Sequence, residues 1–195
     1  MNDWQRAAVW AAFLMPAGIL SHEAAHYLGY LAFDLPDPTL SYASGGFAGM
    51  REYWIMLREG ERAAADAIAP IRDVGLSALF GPLLTIAIGG VGLWLLAVRK
   101  SAFGGALAFT AFFRALPVLV VYALGTPEHT DEAHIALTLG VPDLPLVLLQ
   151  LAGLLGSIWL SLNFMGWKVT LSTVVATIVA LAIWMGALGP LVLPE

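Results

Sequence analysis

Five stretches of this chain are apolar and long enough to cross a bilayer, and they constrain the fold before anything else does. They run from about Trp4 to Phe33, Val74 to Val98, Ala102 to Leu124, Leu144 to Met165 and Val169 to Leu193. About 20 helical residues cross the hydrocarbon layer. Inside lipid no water is present to satisfy backbone N–H and C=O groups, so each stretch has to be a helix. Composition agrees: 59% of the 195 residues are hydrophobic and only 12% are charged, with a mean hydropathy of +0.82. The expected fold is an all-α polytopic membrane protein of five or six transmembrane helices. We expect one membrane-embedded domain over residues 1–195, integral and multi-pass in a prokaryotic plasma membrane, with the lipid bilayer as its first partner.

The connections read differently. Asp34-Leu35-Pro36-Asp37-Pro38 stops the first helix. Thr39 to Met50 has strand-forming Thr, Ser and Tyr residues around a Gly45-Gly46 pair, which predicts a short hairpin or extended loop turning at the glycines. It is either a surface connector or an edge strand lying beside the site described next. From Arg51 to Asp73 charges of both signs alternate around Trp54, Ile55 and Leu57, which predicts an interfacial helix broken near Pro70.

The first apolar stretch contains His22-Glu23-Ala24-Ala25-His26. Four residues apart on a helix, His22 and His26 project from one face, the spacing at which two imidazoles share one zinc ion. Glu23 sits where it can take a proton from a metal-bound water. A carboxylate near the bilayer centre costs about 3 kcal/mol on insertion scales, so a membrane helix keeps one for a reason. The bland alternative is a pair of histidines hydrogen-bonded to neighbouring helices, with Glu23 protonated or paired.

Other functions are poorly served. A net charge of -5 offers no basic patch, so nucleic acid is not an expected partner. The absence of cysteine removes disulfides, thiolate ligands and thiol nucleophiles, and four histidines are too few for an eight-histidine di-iron centre. The N-terminus has no basic region or small-residue cleavage site, so the first apolar segment is expected to be retained. Asp131 to His134 spell DEAH, but no glycine-rich phosphate loop accompanies them.

Topology brings a second polar cluster toward the first. If the helices alternate in direction, the later half of the first and the end of the third lie on the same membrane side. There the chain reads Glu128-His129-Thr130-Asp131-Glu132-Ala133-His134. A catalytic zinc takes three protein ligands and leaves a fourth place for water. His129, Asp131, Glu132 and His134 are all chemically able to be the third. Arg114, near the middle of the third stretch, needs an acid, a carbonyl or water as partner. Gln150 and Asn163 read as interhelical glue.

In order along the chain, His22-Glu23-Ala24-Ala25-His26, Phe80-Gly81-Pro82-Leu83 and Asp131 resemble the motifs of the site-2 protease family of intramembrane zinc metalloproteases. The resemblance covers roughly residues 10 to 140, with the helices of 144–193 as additions. It implies Zn2+ held by His22, His26 and Asp131, with Glu132 as the reserve ligand, and Glu23 as catalytic base. It also implies a membrane-protein or peptide substrate. The sequence departs from the family at Glu132, where a glycine is usual, at Thr130 in place of leucine, and at Thr85 in place of an asparagine. No soluble segment is long enough for a peptide-binding insert. The positive-inside rule puts the N-terminal side in the cytoplasm, whereas the resemblance implies the opposite. A non-proteolytic membrane binding or chaperone-like protein that retains zinc is the alternative. A metal transporter ranks lower, because the last two spans offer no further ligands.

Overall fold

The computed structural model describes residues 1–193, and within them the chain is helical apart from one small hairpin. Helix α1 (Asp3–Ala32) starts at Asn2, whose side chain accepts from the Gln5 N–H while the Gln5 side chain accepts from the Asn2 N–H. It continues unbroken through Pro16. Strands β1 (Thr39–Leu40) and β2 (Gly45–Gly46) pair antiparallel, Thr39 opposite Gly46 and Leu40 opposite Gly45. The glycines therefore lie in the second strand, and the turn is made by Ser41 to Ser44, where the Ser41 N–H donates to the Ser44 carbonyl at 2.8 Å.

The charged segment forms two short helices where one was expected, α2 (Met50–Arg58) and α3 (Arg62–Ile68). Gly60, at φ +85°, supplies the left-handed turn that separates them. Tyr53, Trp54 and Leu57 of α2 are buried against Tyr30, Leu35, Phe47 and Val74, while its charged side faces outward. After Ala69-Pro70 comes α4 (Ile71–Arg99), continuous through Gly81-Pro82. The third apolar stretch is α5 (Ala102–Phe112) and α6 (Ala115–Ala123), with a short break whose second residue is Arg114. A single 3-10 turn, Pro127–His129, leads into α7 (Asp131–Leu139). The chain ends in α8 (Leu144–Phe164), α9 (Trp167–Ile183), a π-helical segment Trp184–Leu188 and α10 (Gly189–Val192).

Helix α1 packs on α4, α5 and α9 along one side and leaves Phe13 and Leu28 on the outside. Glycines let α4 and α5 approach closely: a Cβ on Gly92 would overlap the Ala108 backbone N and lie 2.8 Å from its Cα, and one on Gly104 would lie 2.7 Å from the Leu96 N. Met15, Phe109, Phe112, Phe113 and Leu154 fill the space between helices.

Among the described residues four helices are long and apolar enough to cross a membrane: Ile71–Arg99, Ala102–Ala123, Leu144–Phe164 and Trp167–Val192. Helix α1, counted as a span from the sequence, is not one of them, because its lipid-like composition is interrupted by polar residues. The outside of the molecule is apolar where a soluble protein would be polar: Trp94, Leu155, Trp159 and Val175 are each more than half exposed. Gln150, Ser157, Thr173 and Thr177 are buried instead. This inversion suits lipid as the surrounding solvent.

The α4–α5 contact gives a paired test in two glycines of one helix. Gly92→Ala forces the helices apart and should cost about 1–3 kcal/mol. Gly90→Ala, with nothing within 4 Å, should instead stabilise by about 0.5–1 kcal/mol through helix propensity. Reversible denaturation in detergent measures both, and equal effects would mean that the two helices do not touch at Gly92.

Candidate metal centre

His22 and His26 are both buried, on the face of α1 turned toward α4. Their Nε2 atoms are 3.2 Å apart. Asp131 reaches the same point from the first turn of α7: its Oδ2 is 2.9 Å from His22 Nε2 and 3.1 Å from His26 Nε2. The local sequence explains that arrival. Thr130 caps α7 by accepting from the Ala133 N–H at 3.2 Å, and donates its hydroxyl to the Pro127 carbonyl at 2.9 Å. That fixes Asp131 as the first helical residue, at the end of the strap that returns from α6.

One stripe on α4 faces the histidines. Ser77, Gly81 and Thr85 are spaced four residues apart, so they share a helical face. The His26 Nδ1–H donates to the Ser77 carbonyl at 3.2 Å, and His22 Nδ1 pairs with the Thr85 hydroxyl at 2.9 Å. A Cβ on Gly81 would overlap His26 Nε2 and lie 2.7 Å from His22 Cε1. Glycine is what lets both rings stand there. Thr85 thus holds one of the imidazoles.

Beside these residues is a second set. Arg114 donates from Nη2 to Asp131 Oδ2 at 2.8 Å and to both Glu132 oxygens at 3.3 Å. From Nη1 it reaches His22 Nε2 at 2.9 Å. Glu132 is fully buried and accepts from Gln150 Nε2 of α8 at 2.6 Å. It is turned away from the histidines, as neighbours on a helix must be, pointing about 100° apart. His134 lies elsewhere, stacked on Trp54 at 3.8 Å between ring centres. The His129 side chain lies outside the described residues. Asn163 donates to the Trp159 carbonyl of its own helix at 2.7 Å, so it is not interhelical glue; Gln150 does join two helices.

Hydrogen-bond direction says what kind of point the three atoms surround. A carbonyl only accepts, so neutral His26 carries its proton on Nδ1 and an electron pair on Nε2. His22 Nε2, facing an arginine N–H, likewise presents its electron pair, with the Nδ1 proton directed to Thr85. Asp131 adds a carboxylate oxygen. Partial burial works against ionisation of Asp131, but Arg114 and the two imidazoles hold its carboxyl well below the usual carboxylate range. Three electron-pair donors thus converge. A proton on one imidazole relieves part of this; a cation bound by all three satisfies them together.

The dimensions fit zinc. A tetrahedron with bonds of 2.0–2.1 Å has edges of roughly 3.3 Å, and the three donor atoms are separated by 2.9, 3.1 and 3.2 Å. They form the one group of three metal-competent side chains found among the described residues.

Glu23 is half-buried next to this group, and its Oε2 accepts from the Gly45 N–H of β2 at 2.8 Å. A Cβ on Gly45 would lie 3.1 Å from the Glu23 carbonyl oxygen and 3.2 Å from His26 Cβ. The hairpin is therefore seated directly on α1, and its glycine is there for close approach. His22, Glu23, Thr85 and Arg114 line a cavity of about 610 Å³ whose other walls are mostly apolar, among them Leu14, Ile88, Leu107, Phe113 and Leu181.

The chain matches no protein-family model, no curated protein and no solved structure. The site stands on its own geometry.

The Arg114 network predicts a stability order. Glu132→Ala leaves Arg114 short of a partner and Gln150 without its acceptor, and should cost about 3–5 kcal/mol. Asp131→Ala, at a partly exposed position, should cost clearly less. Thermal unfolding in one detergent compares them, and the reverse order would place the buried pair elsewhere.

Proposed function

We propose that this chain is an intramembrane zinc metalloprotease of the site-2 protease type, acting on peptide bonds of membrane-embedded substrates. The observation that carries the reading is the convergence of His22 Nε2, His26 Nε2 and Asp131 Oδ2, with His22 and Glu23 lining a mostly apolar cavity. Charge supports it as well. Three carboxyl groups, Glu23, Asp131 and Glu132, meet one guanidinium, Arg114, and a divalent cation brings their formal charge to zero.

His22, His26 and Asp131 would hold the ion, their rings kept in register by Thr85 and Ser77. When bound, zinc supplies Lewis acidity, polarising the scissile carbonyl and making water acidic enough to ionise near pH 7. Glu23 accepts the proton of the attacking water and returns it to the leaving amine. The Gly45 N–H holds the Glu23 carboxyl in place for both transfers. Addition of a substrate strand at Gly45 would have to break that bond, so the hairpin's first role is to seat the base. The apolar cavity walls take the substrate's side chains and exclude bulk water. In this reading α1 crosses the membrane as a fifth span, its polar residues covered by α4, α5 and α9.

Two variants separate binding from chemistry. Glu23→Gln should keep one zinc per chain yet cut cleavage of a single-span test substrate by at least about 10²-fold, since only proton transfer is lost. Asp131→Ala should lower zinc occupancy far more than Glu132→Gln or His134→Ala. Metal analysis and cleavage assays in proteoliposomes read both; wild-type turnover in Glu23→Gln would contradict the mechanism.

A further inference from the structure

Arg114 has more donors than a structural ion pair needs. Its Nη2 serves Asp131 and Glu132, whereas Nη1 has His22 Nε2 as its partner at 2.9 Å. Once His22 Nε2 gives its electron pair to a metal, Nη1 loses that acceptor, and Arg114 still lines the cavity. A charged N–H then faces the space beside the three ligand atoms.

The mounting is rigid. Arg114 sits at the junction of α5 and α6, where the helix is already broken. Glu132, fully buried, accepts from it with both oxygens, and Gln150 holds Glu132 in turn. Neither acid nor amide faces the cavity, so their common effect is to fix the guanidinium.

We propose that Arg114 contacts the substrate, its Nη1 donating to the scissile carbonyl oxygen as that oxygen becomes anionic, with Glu132 and Gln150 as positioning residues. The inference rests on the protease reading. In the step, the water oxygen bonds to the carbonyl carbon, the C=O π pair moves onto oxygen, and Glu23 takes the water's proton. Collapse restores the C=O bond, breaks C–N and sends that proton to the amine. The transient negative charge is what Nη1 meets. A fixed cationic donor in a water-poor cavity stabilises such charge without reorganising, and losing one donor of this kind typically costs 10²–10³-fold. Guanidinium suits the role because its fork stays charged while holding two directions at once.

The test uses full-length protein loaded with Co2+, whose visible absorption reports what binds at the metal. Wild type is compared with Arg114→Lys and with Arg114→Gln/Glu132→Gln, a double variant that removes the buried pair together and leaves no lone charge. Each is titrated with N-phosphoryl-Leu-Trp, a tetrahedral anion, and with acetohydroxamate, a planar chelator. The double variant should bind the phosphoryl peptide about 100-fold more weakly, with acetohydroxamate shifted less than about threefold and cobalt content unchanged. Arg114→Lys should fall between. Phosphoryl-peptide affinity within about threefold of wild type in both variants would overturn the proposal. So would loss of cobalt from both, which would make Arg114 a support for Asp131 alone. Cobalt-loaded wild type that shows the phosphoryl preference but cleaves no single-span substrate would instead sink the protease reading and leave the Arg114 contact standing. Wild type that takes up no cobalt would overturn both at the metal.

Discussion

Burying charge in a chain this apolar is the constraint on which the rest of the structure turns. Arg114, Asp131 and Glu132 meet inside a helical assembly whose outer surface carries Trp94, Leu155 and Trp159. An unpaired charge there would cost several kcal/mol. Mutual compensation is the solution, and it recruits one element after another: Arg114 from the α5–α6 junction, the two acids from α7, Gln150 from α8 and His22 from α1. The polar cluster thereby ties together helices whose other contacts are largely apolar, and apolar contacts in lipid give little preference for one arrangement over another.

The same compensation shapes the candidate metal centre. Because Glu132 is committed to Arg114 and Gln150, Asp131 is the acid left to face the imidazoles. Because Ser77 and Thr85 hold the far sides of the rings, both Nε2 atoms turn inward. Gly81 contributes by having no side chain. Small and polar residues on α4 thus perform what a metal site needs from its surroundings: orientation, a chosen tautomer and room.

Much of this was legible in the chain. The four-residue spacing of His22 and His26 is a helical statement, and an alternating order of helices brings Asp131 toward them, where the structure has it. The choice between Asp131 and Glu132 was harder to read from sequence, because it depends on which acid Arg114 and the buried Gln150 claim. Gly81 and Thr85 stand out in the sequence, but their common face with Ser77 carries no signal of its own, since small residues in a membrane helix ordinarily mean close packing. Gly45-Gly46 suggested a turn, but neither glycine has positive φ; Gly45 is needed for its nearness to α1, a tertiary fact. Asn163 bonds within its own helix for a similar reason, its partner being set by what α8 packs against. Helix α1 itself fell outside the four apolar spans because the residues that equip the site dilute its hydropathy.

The central claim is that His22, His26 and Asp131 form a zinc site. X-ray absorption at the zinc edge, on purified full-length protein after removal of loosely bound metal, tests it most directly. The account predicts one zinc per chain in a four-coordinate shell of nitrogen and oxygen at about 2.0–2.1 Å, with outer-shell scattering from two imidazoles. Substoichiometric zinc, or a shell of oxygens without imidazole scattering, would contradict it.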